Sequence, residues 1–109
     1  PMIEAAAAGL PVLATDWSGH KTFLQDGSWI PVKYDLIKIP NAKVDNRIFM
    51  ENSLWADVDE QDFKKSLTEL YKSRYDLRKA ANKTRSKVVN NFSQDAVSTL
   101  YNNFLQELG

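Results

Sequence analysis

A helix stop followed at once by a short apolar strand, all within the first fifteen residues, constrains the fold of this chain most. Met2 to Ala8 is a run of strong helix formers. Gly9 stands where a helix needs a left-handed residue to end, and Pro11 soon follows. Val12 to Thr15 then form a continuously apolar, partly β-branched run, typical of a strand buried on both faces of a parallel sheet. A helix and such a strand are half of an α/β repeat, so we predict an α/β fold.

Between residues 16 and 54 the sequence predicts one more strand and a long connection. A brief helical turn covers His20 to Leu24, and Trp29 to Tyr34 is the strand candidate. Pro31 restricts that strand to the edge of a sheet, because proline cannot donate a ladder hydrogen bond. From Asp35 to Leu54 the apolar residues keep no period, which predicts a long irregular connection.

Three helices are predicted in the last fifty residues. Asp59 can cap the first, the second begins at about Asp76, and Ser93 can cap the third. The expected apolar faces of the first two carry Phe63, Leu67, Leu70 and Tyr71, and then Leu77, Ala80, Ala81, Thr84, Val88 and Phe92. The third helix has the cleanest amphipathic stripe of the chain, formed by Val97, Leu100, Tyr101, Phe104, Leu105 and Leu108.

Composition excludes several kinds of site. The 109 residues contain no cysteine and one histidine, which removes disulfides, thiol nucleophiles and structural zinc from consideration. The 14 basic and 14 acidic residues cancel, so any partner must be recognised locally. Neither a signal peptide nor an apolar stretch of membrane-spanning length is found. We expect a cytoplasmic protein, with peripheral membrane association left open, and we expect the start at Pro1 to be a cut within a longer protein.

Glu4 is the residue with the clearest functional reading. It lies in the first turn of the predicted helix, ahead of a buried parallel strand, and α/β folds bind nucleotides at such edges. A diphosphate would repel its carboxylate, whereas a ribose diol can donate two charge-assisted hydrogen bonds to it. Pro1 suits the first helical position, where its missing N–H costs nothing. The alternative is that Glu4 only complements the helix dipole.

The segment from Pro1 to Gly19, PMIEAAAAGLPVLATDWSG, closely resembles the C-terminal Rossmann-like domain of GT-B glycosyltransferases, specifically the retaining family 4. Weaker similarity extends to Trp55–Asp59 and to Asn91–Ser93. The family carries two glutamates separated by seven residues, and Glu4 resembles the second of them. The resemblance implies an incomplete C-terminal Rossmann-like domain of a GT-B fold, followed by C-terminal helices. Residues 1–58 would be the partial nucleotide-sugar-binding part and residues 59–109 the helical part of the same domain, with the N-terminal domain absent.

The resemblance also implies a function. The full-length parent would be a retaining, hexosyltransferase-like enzyme that uses a UDP- or GDP-sugar and needs no cofactor and no metal. Glu4 would hold the ribose, and backbone around Pro1 and Met2 would approach the diphosphate. No catalytic residue would lie in this chain, because the first glutamate and the phosphate-binding cations come from earlier in the protein, so the fragment alone is predicted inactive. Its partners would be the nucleotide-sugar, an unknown glycan, lipid or protein acceptor, and the N-terminal domain.

Other residues have competing interpretations. The loop of Ser18, Gly19 and His20 is a further candidate near the site, although a lone histidine more often has a structural role. Trp17 and Trp29 could stack on a ring, but core or loop packing is the commoner use. We retain two alternatives to the transferase. One is another GT-B enzyme, such as a nucleotide-sugar epimerase. The other is a non-enzymatic interaction module that uses the basic helix 72–87; nucleic acid is not expected as a partner, because the basic residues do not alternate with aromatic ones.

Overall fold

The computed structural model describes residues 1–109, which form five helices and two separate two-stranded sheets. The chain is therefore α/β, as predicted. In chain order the elements are α1 (Met2–Ala7), β1 (Leu13–Thr15), α2 (Lys21–Leu24), β2 (Ile30–Val32), β3 (Tyr34–Lys38), a short 3-10 helix (Asn41–Lys43), β4 (Leu54–Val58), α3 (Glu60–Lys72), α4 (Arg74–Phe92) and α5 (Gln94–Leu108). None of the five helices combines the length and the apolar character that crossing a bilayer requires.

The helix stop at Gly9 is confirmed in detail. Gly9 has a φ of 77°, the left-handed conformation that glycine adopts without steric cost. Its N–H donates to the Ala6 carbonyl, and the N–H of Leu10 donates to the Ala5 carbonyl, both at 3.0 Å. These two bonds form a Schellman motif, which satisfies carbonyls that the end of α1 would otherwise leave free. The chain leaves α1 in a fixed direction and enters β1.

The two strands β1 and β2 pair in parallel, with Ala14 opposite Pro31. Pro31 lies in a strand with only one neighbour, as its missing N–H requires. The expectation that β1 is covered on both faces is met only in part. Ala14 is buried, whereas Leu13 and Thr15 are half-buried.

The prediction of an irregular connection from Asp35 to Leu54 is wrong at both ends. Strands β3 and β4 form an antiparallel hairpin in which Tyr34 pairs with Val58 and Lys38 with Leu54. Tyr34 thus begins a new strand and does not end the preceding one. Trp55 belongs to β4, which leads directly into α3. Neither strand alternates apolar and polar residues strictly, so cross-strand pairing and not local pattern specifies them.

Within the connection, Asp45 organises a tight turn. One of its carboxylate oxygens accepts hydrogen bonds from the backbone N–H groups of Arg47, Ile48 and Phe49 at 2.9–3.0 Å. These bonds, with those from Arg47 and Phe49 the strongest, hold the pKa of Asp45 below its ordinary value of 3.8. The Phe49 ring meets Trp55 edge-on, with centroids 5.8 Å apart. The segment between β3 and β4 therefore packs against the hairpin that it connects.

The helix caps are confirmed. Asp59 accepts from the N–H of Asp62, and Ser93 accepts from the N–H of Ala96. The second helix, α4, begins at Arg74, two residues earlier than predicted. Its predicted apolar face is buried at Ala81, Thr84 and Val88, whereas Ala80 is exposed, Leu77 is half-buried and Phe92 lies at the margin of exposure.

A small core joins α1, β1, α2 and α4. Its buried members are Ala6, Val12, Ala14, Leu24 and Val88, and Trp29 packs partly against them. The buried Thr84 hydroxyl donates to the Ser28 carbonyl and accepts from the Ser28 N–H, each at 2.7 Å. This pair of bonds fastens the loop before β2 to α4.

Much apolar surface stays uncovered. On α5, Leu100, Tyr101, Phe104, Leu105 and Leu108 are all exposed, although their spacing makes one stripe. The accessible surface is 8295 Å², against about 6,100 Å² for a folded chain of this mass. The radius of gyration is 17.5 Å, against about 13 Å for a compact domain of this length. The chain is a flat unit, 47 × 42 × 17 Å, that exposes more total surface than a compact domain of this length.

Candidate functional site

Glu4 lies in the first turn of α1 with its carboxylate exposed to solvent. Its Oε2 is 2.7 Å from the amino group of Pro1. The hydrogen bond from that amino group, then a bond with the backbone N–H of Glu4 itself, hold the pKa of the carboxyl below its ordinary value of 4.5. A proline within a chain has no N–H, so this ion pair exists only while Pro1 carries a free amine. Without it, the carboxylate is free to accept hydrogen bonds from a ligand.

An open recess of about 240 Å³ adjoins Glu4. Residues from α1 and from the junction between α4 and α5 line it, and most of them are apolar: Ile3, Glu4, Ala7, Val88, Val89, Phe92 and Ser93. The recess therefore offers one charged acceptor beside apolar walls. Such a combination suits a sugar ring or ribose, whose hydroxyls donate hydrogen bonds while its C–H faces pack on hydrocarbon.

Pro1 and Met2 are exposed at the start of α1. The Pro1 carbonyl accepts the first intrahelical bond, from the N–H of Ala5 at 3.0 Å. The N–H groups of Met2 and Ile3 have no acceptor within the helix, as is general for a first turn, whereas the N–H of Glu4 meets its own carboxylate. These are the backbone donors that could approach an anion.

The loop of Ser18, Gly19 and His20 lies at the end of β1, where the His20 side chain contacts the backbone of that strand. His20 Nε2 lies 2.5 Å from the Thr15 carbonyl, and the imidazole meets Trp29 edge-on at 6.0 Å. Because a carbonyl only accepts, Nε2 must carry the proton, which removes that nitrogen as a base. The backbone of Ser18 has a positive φ of 89°. The recess beside Glu4 contains none of these three residues, so the structure does not bring the two groups of candidates together in one cavity.

The two tryptophans are packing residues of unequal burial. Trp29 packs against the core cluster, as expected for core cover. Trp17 is exposed and contacts Tyr34, with ring centroids 5.6 Å apart. Neither ring lines the recess beside Glu4.

A larger open cavity of about 500 Å³, not predicted from the sequence, lies at the carboxyl ends of β1 and β2. Asp16 and Lys33 directly follow these strands, so the carboxyl-end rule for parallel sheets was the signal that could have found it. Lys21 pairs with Asp16 at 3.0 Å, and Asp62 accepts from the Lys33 N–H at 2.8 Å. The lining as a whole is acidic and a poor match for a diphosphate: Asp16, Pro31, Val32, Lys33, Tyr34, Asp35, Asp59 and Asp62. No group of three or more potential metal ligands comes together.

No protein-family model, curated protein or solved structure matches this chain. A function must therefore follow from the residues and from the geometry around α1 and β1.

Proposed function

We propose that this chain forms part of the donor site of a nucleotide-sugar-dependent glycosyltransferase with a GT-B fold. Residues 1–58 would belong to its incomplete Rossmann-like domain, and residues 59–109 would be the helical end of that domain. One observation carries the proposal. An exposed carboxylate, Glu4, stands in the first turn of a helix that Gly9 stops directly ahead of the parallel strand β1.

The chemistry proposed for Glu4 is ribose recognition. An ionised carboxylate can accept hydrogen bonds from both hydroxyls of a ribose, and charge-assisted bonds of this kind are stronger than neutral ones. A glutamate carboxyl is ionised at neutral pH without any shift, so Glu4 needs no partner within the chain to carry its charge. Backbone around Pro1 and Met2, at the positive end of the helix dipole, would approach the diphosphate. The resemblance to family 4 adds transfer with retention and an upstream glutamate that contacts the transferred sugar.

The exposed apolar surface supports a site shared with another part of a longer protein. The stripe on α5 has no partner within the chain, and the sheet of β1 and β2 has two open edges. Open edges and apolar stripes of this kind are normally covered. In this proposal, that other part supplies the second wall of the donor cleft and the cations that stabilise the leaving diphosphate. We therefore propose that the chain alone has no transferase activity.

The proposal predicts a specific role for Glu4 in donor affinity. In the protein that joins this chain to its proposed upstream half, Glu4→Ala is expected to raise the dissociation constant for a UDP- or GDP-sugar at least about tenfold, because the charged acceptor for the ribose is lost. Glu4→Gln, which keeps an acceptor but not the charge, should fall between Ala and the native residue. Calorimetric titration with UDP-glucose and with GDP-mannose measures the dissociation constants of both variants.

Glu51→Ala is the matched control, since Glu51 is an exposed carboxylate in the connection before β4. It should leave donor affinity unchanged. Equal affinity of the Glu4→Ala variant and the native protein would remove Glu4 from the donor site. Interconversion of the sugar donor without any acceptor would favour the epimerase instead of the transferase.

A further inference from the structure

A groove runs along α4 where the end of α1 packs against it. Its volume is about 310 Å³. We call it the α4 groove; its lining residues are Ala8, Gly9, Tyr75, Arg78, Lys79, Asn82 and Arg85. Three of these side chains are cationic, and none is acidic. The groove lies at the C-terminal end of α1, whereas Glu4 lies at the opposite end of that helix.

The cations of the α4 groove have no partners in the protein. The ion pairs of the chain are Pro1–Glu4, Lys21–Asp16 and Lys64–Glu60, all on other elements. Helix α4 carries six basic residues and a single acidic one, Asp76, although the chain as a whole is neutral. Positive charge is therefore concentrated on α4. Donor groups of Arg78, Lys79 and Arg85 are free for a ligand.

The spacing along α4 places these donors on the same side of the helix. Arg78, Asn82 and Arg85 are four and three residues apart, so they lie on one face of the helix. At 1.5 Å per residue, Arg78 and Arg85 are separated by about 10 Å along the axis, which leaves room for one or two phosphate groups between them. Gly9 forms part of the wall: a Cβ added to it would be 3.7 Å from both Arg85 Cδ and Asn82 Oδ1.

The end of α1 opposes anion binding only weakly. A helix C-terminus carries about half a negative charge at most, and the Schellman bonds at Gly9 already engage two of the α1 carbonyls. Three full positive charges face it. The α4 groove therefore keeps a positive potential.

We propose that the α4 groove binds the phosphate group of a small phosphorylated molecule or of a lipid head group. Arginine presents planar paired donors that match phosphate oxygens, and Asn82 adds a neutral donor between the two arginines. A nucleic acid strand fits less well, because the cationic row is short and Tyr75 is the only aromatic residue beside it. This inference is independent of the donor site proposed at Glu4.

Pyrophosphate titration of the whole 109-residue chain, followed by amide NMR shifts, tests the proposal. Shifts should concentrate on Gly9 and on Arg78 to Arg85. The variant Arg78→Gln/Arg85→Gln should bind at least about fivefold more weakly. Lys38→Gln/Lys65→Gln removes the same charge at exposed positions elsewhere and should change affinity less than about twofold. Arg78→Lys/Arg85→Lys should keep part of the binding. Thermal melts identify any variant that fails to fold. The shift map of the native chain locates the binding site without the use of any variant.

A second arm separates the two sources of phosphate. Co-sedimentation with phosphatidylcholine vesicles that contain phosphatidic acid, reversed by pyrophosphate, would identify a lipid head group as the ligand. Pyrophosphate binding without co-sedimentation would identify a soluble phosphate compound. The proposal would be overturned if the arginine and the lysine double variants weakened pyrophosphate binding equally, or if the amide shifts were spread over the whole surface. So would preferential binding of a single-stranded oligonucleotide at the same residues.

Discussion

Leu24→Ala is expected to unfold the chain, whereas Leu108→Ala is expected to leave its stability within about 0.5 kcal/mol of the native value. Both substitutions delete the same atoms. Leu24 is fully buried, at 0% exposure, and packs in the cluster that joins α1, β1, α2 and α4. Leu108 is 70% exposed at the end of α5. The difference in effect measures burial alone.

The size of the Leu24 effect follows from the small core. Leucine-to-alanine changes in buried sites cost about 2–5 kcal/mol, and a folded domain at the weak end of the usual range has about 5 kcal/mol in total. With only 10 of 109 residues buried, this chain belongs at that end. Urea denaturation followed by circular dichroism compares the two variants. A Leu24→Ala chain that retains a cooperative transition at the native midpoint would contradict the core described above.

Gly27→Ala is expected to destabilise the chain by about 2–3 kcal/mol, because the added methyl group has no room. Its Cβ would lie 2.5 Å from Thr84 Oγ1 and 2.9 Å from Thr84 Cα. The second of these atoms is helix backbone and cannot rotate away. The loop before β2 must therefore move off α4, which also breaks the two hydrogen bonds between Thr84 and Ser28.

Gly19→Ala provides the matched control for Gly27→Ala. A Cβ at Gly19 meets nothing within 4 Å, so its stability should stay within about 0.5 kcal/mol of the native chain. Thermal melts of the two variants side by side make the comparison. Equal melting temperatures would show that the loop before β2 is not held against α4 as described.

Local chemistry made part of the fold predictable. Gly9 could be assigned as the end of α1 because a left-handed position favours glycine. Asp59 and Ser93 could be assigned as caps because their side-chain oxygens accept from free N–H groups at a helix start. Pro31 marked an edge strand for an equally local reason. Each of these predictions depends on a residue's own stereochemistry and survives in the structure.

Features that depend on distant partners were missed. The hairpin of β3 and β4 joins residues about twenty positions apart, and neither strand has the strict alternation that would reveal it. The turn at Asp45 looked irregular because its order comes from one carboxylate that collects three N–H bonds. His20 could be weighed as structural, but its bond to the Thr15 carbonyl required the loop geometry. The cavity beyond β1 and β2 needed the parallel pairing, which brings Asp16 and Lys33 to one edge.

Hydrogen exchange on the protein that joins this chain to its proposed upstream half shows whether the N-terminal turn of α1, with Glu4, contacts the ribose and diphosphate of a nucleotide-sugar. Saturation with UDP-glucose or GDP-mannose should slow exchange of the amides from Met2 to Ala7 at least about tenfold, while the amides of α5 keep their rates. Unchanged exchange across α1 while the donor is bound would show that the donor does not contact this helix.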